Sequence, residues 1–471
     1  MLRPSYAVYW RSFIGAVRKD MCIAVLPVLC AYLVAVNYLI ETDSKLLLRG
    51  CYVLSAGVII LAALSPWFRR KVIPGYRRDW GALLLCLFCV HLLFQALTYP
   101  DWSVSENYLK IWVIQIVTGA GLGFLSLSFF FRSGIDASSR RDLGGAYQVV
   151  IAISIAALVY VSWRLYLRRA EDSFFIISNT DSVYYYQIFG NYAIVLYGSI
   201  AMILRREISS KVAIRALIYR NAAQSIFTLW LFFLVQLVGS NNAAVVIVAI
   251  GALTFIGDTI KYFRETAGRW RWLGSLSLSG EGLVVLLVAA TIIANLPPIR
   301  LFGYKPAPYL SALSTVPAPE RVDTGPPSLA DSSLGLEGIL EDSSVTSRSE
   351  ILVTYGMAQL SVDPVFGDLG AEIVTGTPSK YLHSLLSIQT HLGIVGSLLM
   401  IGFLASRVRS FVKGMHDTVV IAFIAVTFIV AALATFFSWL PFWFAIGLLL
   451  AMPTRAQLRL FSESRTAGQG G

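Results

Sequence analysis

Two side chains in this sequence are of the right type, and stand in the right kind of place, to move a proton and to hold an anion. His383 lies in SKYLHSLLSIQTHLGIVG, just before the apolar run Leu385–Leu404. A neutral imidazole at a membrane surface accepts a proton near neutral pH. An interfacial polar residue with no chemistry is the other reading of the same placement. Arg348 lies in Ser347-Arg348-Ser349-Glu350, where the serine and glutamate fit a capping box and predict a helix start. A cation in a first helical turn opposes the partial positive charge of that helix end. The same turn suits a phosphate, because free N–H groups and a guanidinium fork both donate to it. Arg348 also reads as a solvated surface arginine with Glu350 beside it.

The elements that must position these residues are membrane helices. The chain of 471 residues is 56% hydrophobic and 14% charged, with a mean hydropathy of +0.69, which excludes an ordinary soluble domain. Apolar segments near the ~20 residues a spanning helix needs recur along nearly all of it. They predict an all-α integral membrane protein with twelve spans, at 21–40, 50–68, 80–99, 111–131, 146–165, 186–204, 225–240, 242–260, 282–298, 384–404, 418–436 and 438–453. Most of the 38 Lys and Arg residues fall in connections on one side, which makes that side and both termini cytoplasmic. The net charge of +11 then reports cytoplasmic loops and the lipid bilayer, with no nucleic acid as partner. Cys22, Cys30, Cys51, Cys86 and Cys89 all lie within predicted spans, so no disulfide is expected in the polar connections. The segment from Met21 to Ile40 is too long for a signal-peptide core and is expected to remain as an anchor.

One connection is out of proportion. Residues 299–382 form a polar outer loop between spans nine and ten, separating the helices of 1–298 from those of 383–453; a tail, 454–471, follows. The loop begins rich in Pro and Ser. From Ser347 it changes, and SRSEILVTYGMAQL places Ile351, Leu352, Tyr355 and Leu360 near helical spacing, predicting a short amphipathic surface helix at about 347–361. In SVDPVFGDLGAE, Pro364, Gly367 and Gly370 mark turns. Gly393 and Gly396 are expected to serve close helix packing, as is Gly119-Ala-Gly121-Leu-Gly123, which lies in a span and follows no strand. His91, His391 and His416 read as structural.

The order Ser347-Arg348, Pro364-Val-Phe-Gly367-Asp-Leu-Gly370, His383-Ser-Leu-Leu and Gly393-Ile-Val-Gly396 resembles the signature region of the O-antigen ligase and O-antigen polymerase superfamily. Its members share the twelve-span layout with a large late periplasmic loop. The resemblance implies a metal-independent inverting glycosyltransferase of the bacterial inner membrane, needing no cofactor and working at the periplasmic face. Its donor would be a glycan on undecaprenyl diphosphate. A ligase would take lipid A–core, a glycolipid, as acceptor; a polymerase would take another lipid-linked glycan. His383 matches the histidine that orients or deprotonates the acceptor hydroxyl, and Arg348 matches a loop arginine that holds the diphosphate.

The chain departs from the pattern between spans seven and eight. Many members carry Ser-Arg-Gly-Ala there, whereas this sequence reads Val238-Gly239-Ser240-Asn241-Asn242-Ala243-Ala244. Asn241 donates a hydrogen bond without charge. Arg164, Arg168 and Arg169, at the outer end of span five, are candidates to supply the missing cation, or equally are surface charges beside Glu171 and Asp172. Tyr184-Tyr185-Tyr186-Gln187 and Asn191 open span six, a region that helps line the donor site in the superfamily, so Gln187 and Asn191 are candidate sugar or phosphate contacts; the tyrosines also fit an interfacial belt. A flippase or transporter for a polysaccharide lipid remains the alternative of another class. The nearly charge-free span interiors and the absence of duplicated halves favour the transferase.

Overall fold

The computed structural model describes residues 15–17, 20–42, 44–65, 76, 79–128, 137–168, 185–207, 214–238, 240–265, 280, 282, 284, 351–376, 384–414, 417–433 and 439–452. Among them every regular element is a helix. They are α1 (Cys22–Thr42), α2 (Leu46–Leu64), α3 (Trp80–Thr98), α4 (Trp102–Ile111), a π-helical stretch (Trp112–Val117), α5 (Thr118–Ser128), α6 (Ala137–Arg168), α7 (Tyr185–Glu207), α8 (Ile214–Leu237) and α9 (Asn241–Glu265). Further along the chain the described elements are a π turn (Ile351–Tyr355), α10 (Gly356–Ser361), α11 (Ala371–Val374), α12 (Leu386–Gly414), α13 (Thr418–Leu433) and α14 (Leu440–Ala451).

Eight stretches of these helices are long and apolar enough to cross a membrane: Cys22–Leu39, Leu46–Leu64, Trp80–Thr98, Trp102–Leu127, Leu143–Leu167, Gln187–Arg205, Asn242–Lys261 and Leu386–Val408. The protein is a multi-pass, all-helical membrane protein. The two last expected spans appear as shorter apolar helices, Thr418–Ala432 and Leu440–Ala451. The expected seventh span lies in α8, whose first half carries Arg215, Arg220, Asn221 and Gln224. The ninth, 282–298, lies almost wholly outside the described residues, as do 299–350 and the tail.

Local chemistry sets the helix starts. Asp79 caps α3 by accepting from the Ala82 N–H at 3.1 Å, and Asp101 caps α4 by accepting from Ser103 at 2.8 Å. Pro441 opens α14, where its missing N–H is no loss. Burial then sorts the helices. The α7 span is 83% buried and the α2 span only 22%, so α7 is central while α2 faces outward. Every residue of α14 except Leu450 is buried, which fits a helix that is apolar all round.

The tightest packing joins α14 to α5. A Cβ on Gly123 would overlap the Phe444 carbonyl, and one on Gly447 would overlap that of Ala120. The glycine cluster 119–123 is therefore a helix-packing seam, with backbones in contact and small residues making the approach possible. Gly123→Leu is expected to separate the two helices and lower thermal stability in detergent by several degrees. Gly57→Leu, on α2 with open space around it, is expected to leave it unchanged.

Two buried ion clusters tie further helices of the bundle together. Arg407 of α12 donates to Asp79 at 2.7 Å and to the Met452 carbonyl at 3.4 Å. Asp258 of α9 takes both terminal nitrogens of Arg205 from α7. It also accepts from Arg220 of α8 at 3.3 Å and from the Thr418 hydroxyl at 2.7 Å. Each charge is thus paired across helices, as a charge removed from water requires.

Candidate functional site

The motif stretch 364–370 and the glycine pair 393–396, far apart in sequence, form one structural unit. α12 is broken at Gly393, whose φ of +62° is non-helical. The freed backbone groups are answered by the loop. Ile394 N–H donates to the Pro364 carbonyl at 2.9 Å, Val395 N–H to that of Val365 at 3.1 Å, and Asp368 N–H to that of Thr390 at 3.0 Å. Gly367, with φ +82°, lies so close that a Cβ would overlap the backbone of His391, Leu392 and Gly393. Gly393 was expected to bring helices together; instead it opens a helix to receive a loop, and its left-handed φ is what glycine permits.

Side chains complete the lock. Gln95 of α3 donates to the Phe366 carbonyl, and Gln389 donates to Pro364 at 3.1 Å while accepting from Ser397 at 2.8 Å. His91 Nε2 reaches the Leu392 carbonyl at 3.2 Å. His91 thus links α3 to α12 at the break. Ser384, immediately after His383, has φ +94° and is the one described non-glycine residue with a positive φ. Such strain persists only where its surroundings over-determine it. Here Ser384 caps the start of α12, its hydroxyl accepting from Leu386 at 3.2 Å and its carbonyl from Ser387 at 3.0 Å.

A buried polar pair lies beside the lock. His391 Nδ1 is 2.8 Å from the Ser387 carbonyl, which only accepts, so Nδ1 carries a hydrogen. Nε2 then faces Glu372 Oε2 at 3.8 Å, and a proton on either partner makes that contact attractive. The Tyr108 ring lies 5.5 Å from the imidazole. Nearby, the Tyr99 hydroxyl donates to Asp368 at 3.0 Å; desolvation, then this hydrogen bond, push that hydroxyl up to about 12. His391, read as structural in the sequence, stands between α12, which carries it, and Glu372 of α11. Its partner Glu372 had no sequence signal except the general need of an intramembrane ionisable group for company.

Across α4 from this pair, a cavity of about 190 Å³ opens among Tyr52, Lys110, Gln115, Asn191, Tyr192 and Leu440. Asn191 enters it with its carbonyl oxygen accepting from Trp439 at 2.7 Å, which leaves its NH₂ to donate. Tyr192 is held by stacking on Tyr32 with centroids 4.1 Å apart. Lys110 pairs with Glu106 at 2.6 Å. Gln115 lies on the π-helical stretch, and its Oε1 is buried without a partner among the described residues. Tyr, Lys and amide side chains around a small cavity can hold a polar ligand by hydrogen bonds over apolar contact. Lys110 and Gln115 escaped the sequence reading because only their neighbours on other helices, Tyr52, Asn191 and Tyr192, mark them as cavity lining.

The remaining candidates fall as follows. Gln187 is exposed, one turn before Asn191 on α7. The 240–241 turn sits against the same helix, since a Cβ on Gly190 would overlap the Ser240 hydroxyl. Asn241 is the first residue of α9, with its side chain outside the described residues. Arg164 is half-buried on α6, and Arg168 is that helix's last residue. His383, Arg348, Arg169 and the Arg168 side chain lie outside the described residues. The helix expected at 347–361 is present from 351, and its expected cap lies outside them as well.

The fold defines the class as a polytopic helical membrane protein with a loop locked into a broken helix. No protein-family model, curated protein or solved structure matches the chain.

Proposed function

We propose that this protein is a metal-independent inverting glycosyltransferase of the bacterial inner membrane, of the O-antigen ligase or polymerase type. The observation that supports the reading is the docking of Pro364–Gly370 into the α12 break at Gly393, which joins two of the four motif pieces that carry the resemblance. In this reading transfer takes place at the periplasmic face, with His383 just ahead of the apolar stretch Leu386–Val408. His383 takes the proton of the acceptor hydroxyl as its oxygen attacks the anomeric carbon. The sugar–phosphate bond breaks, and undecaprenyl diphosphate leaves with its charge held by Arg348. Arg164, Arg168, Arg169 and Asn241 are the candidates for a second phosphate contact. Gln187 and Asn191 are the candidates for sugar contacts. The ligase form, with lipid A–core as acceptor, is the first reading.

The test is a surface-polysaccharide gel of a strain lacking the gene, complemented with wild type or His383→Ala. Long chains that form but stay on the lipid carrier identify a ligase; single-unit caps without a ladder identify a polymerase. His383→Ala is expected to behave as the deletion at normal membrane levels, because a positioned base contributes roughly 10²–10⁴-fold in rate. Full rescue would end its catalytic role. Purified protein that forms no glycosidic bond from lipid-linked donor and acceptor would sink the transferase reading.

A further inference from the structure

The segment 351–376 is built inside out. Its exposed side chains are mainly apolar, among them Val353 (80% exposed), Met357 (74%), Phe366 (56%) and Val374 (61%). It contains no Lys or Arg, and each of its three acids has a partner within the protein. Asp363 accepts from the Val365 and Phe366 N–H groups at 3.1 and 3.0 Å. Asp368 accepts from Tyr99 and from Gly370 N–H, and Glu372 is buried against His391. A loop in water shows the reverse pattern, and a contiguous exposed apolar surface marks an interaction site.

The depth of the segment follows from what holds it. Gly393 is the eighth residue of the apolar stretch Leu386–Val408, so at about 1.5 Å per residue the docked loop sits roughly 10 Å inside that span. The other wall agrees. Phe366 is held by Gln95 and Leu392 by His91, and these lie about 5 and 10 Å in from the Thr98 end of α3 on the same rise. Non-helical backbone at that depth is tolerated only when its polar groups are satisfied by protein. Here the carbonyls of Pro364, Val365 and Phe366 all have donors. The apolar surface is also continuous with lipid-facing stripes below it, Leu87, Val90 and Phe94 on α3 and Ile394, Leu398 and Ile401 on α12, two helices that pack together.

We infer that 351–376 is a re-entrant membrane segment, with Val353, Met357, Phe366, Ile373 and Val374 seated among the acyl chains of the outer leaflet. Bilayer lipid is its partner. This stands apart from the transferase reading and survives that reading's failure.

The test is the accessibility of a nitroxide label at Met357→Cys, Phe366→Cys and Val374→Cys in lipid nanodiscs, with Cys86 and Cys89 replaced by alanine. Leu398→Cys is the lipid control and Ser103→Cys, an exposed position in the first turn of α4 at the end of its span, the water control. Labels in the segment are expected to respond to oxygen over a water-soluble nickel chelate, as at Leu398. A chelate response like that at Ser103 overturns the inference. So does protection from both probes, which would mean coverage by another part of the chain or by a second copy. Hydroxyl-radical footprinting of the wild-type chain in nanodiscs gives the same reading without substitutions: Met357 and Phe366 escape oxidation in the bilayer, and oxidation of both overturns the inference.

Discussion

Arg407→Ala is expected to destabilise the protein by roughly 3–5 kcal/mol, the usual consequence of stripping one partner from a buried ion pair. Its guanidinium is 1% exposed and spans the Asp79 carboxylate and the Met452 carbonyl. It therefore joins α12 to the first turn of α3 and to the end of α14. Removing it leaves the Asp79 side chain buried with, among the described residues, the cap it makes on α3 as its remaining hydrogen bond. Arg407→Lys is expected to rescue little, because an ammonium lacks the fork that reaches both acceptors. The double variant Asp79→Leu/Arg407→Met is expected to recover much of the loss, since replacing both charges by apolar groups of similar size is often neutral. Equilibrium unfolding in mixed micelles reads all three. Arg407→Ala within experimental error of wild type would show that the pair is not closed in the membrane.

The second large effect is expected at Gly367. A β-branched side chain at φ +82° carries strain of roughly 1–3 kcal/mol. In Gly367→Val that side chain also meets the backbone of α12 at Leu392 and Gly393. Neither backbone can give way without breaking the hydrogen bonds that seal the helix break. The loop is expected to undock while the helices still insert, so membrane levels persist and the proposed polysaccharide transfer falls to that of the deletion. Gly376→Ala is the control. It too has a positive φ, +68°, but open space around it, so only strain of about 1 kcal/mol is expected and transfer continues. Equal activity in the two variants would separate the docked loop from function.

The hydropathy pattern located most of the helices because lipid-facing and core positions are both apolar, and no alternation need be resolved to see a span. Charged and amide residues concealed the length of α8, and a break at Gly393 left the apolar run of α12 intact. Glycine in a helical pattern has two physical meanings, close approach of a neighbour or freedom to leave the helix. Gly123 took the first and Gly393 the second, and only the partner, Phe444 or the loop at 364–367, distinguishes them. Asn191 was legible as a polar residue opening a span. Lys110, Gln115 and Glu372 were not, because their significance comes from neighbours on other helices. His383 and Arg348 rest on the sequence alone, on their place before an apolar run and in a capping-box turn and on motif order.

The seam between α5 and α14 has a consequence for biogenesis. α14 is 12 residues long, about 18 Å at helical rise, which falls short of a hydrocarbon core of about 30 Å. Among the described helices it is also the last to leave the ribosome, yet its Phe442, Trp443 and Phe444 are wholly buried. Until it arrives, the groove along Gly119 and Gly123 has nothing to close on. The nascent bundle must therefore remain open on that side through most of translation, and assembly ends from its centre outward rather than by adding a helix at the rim.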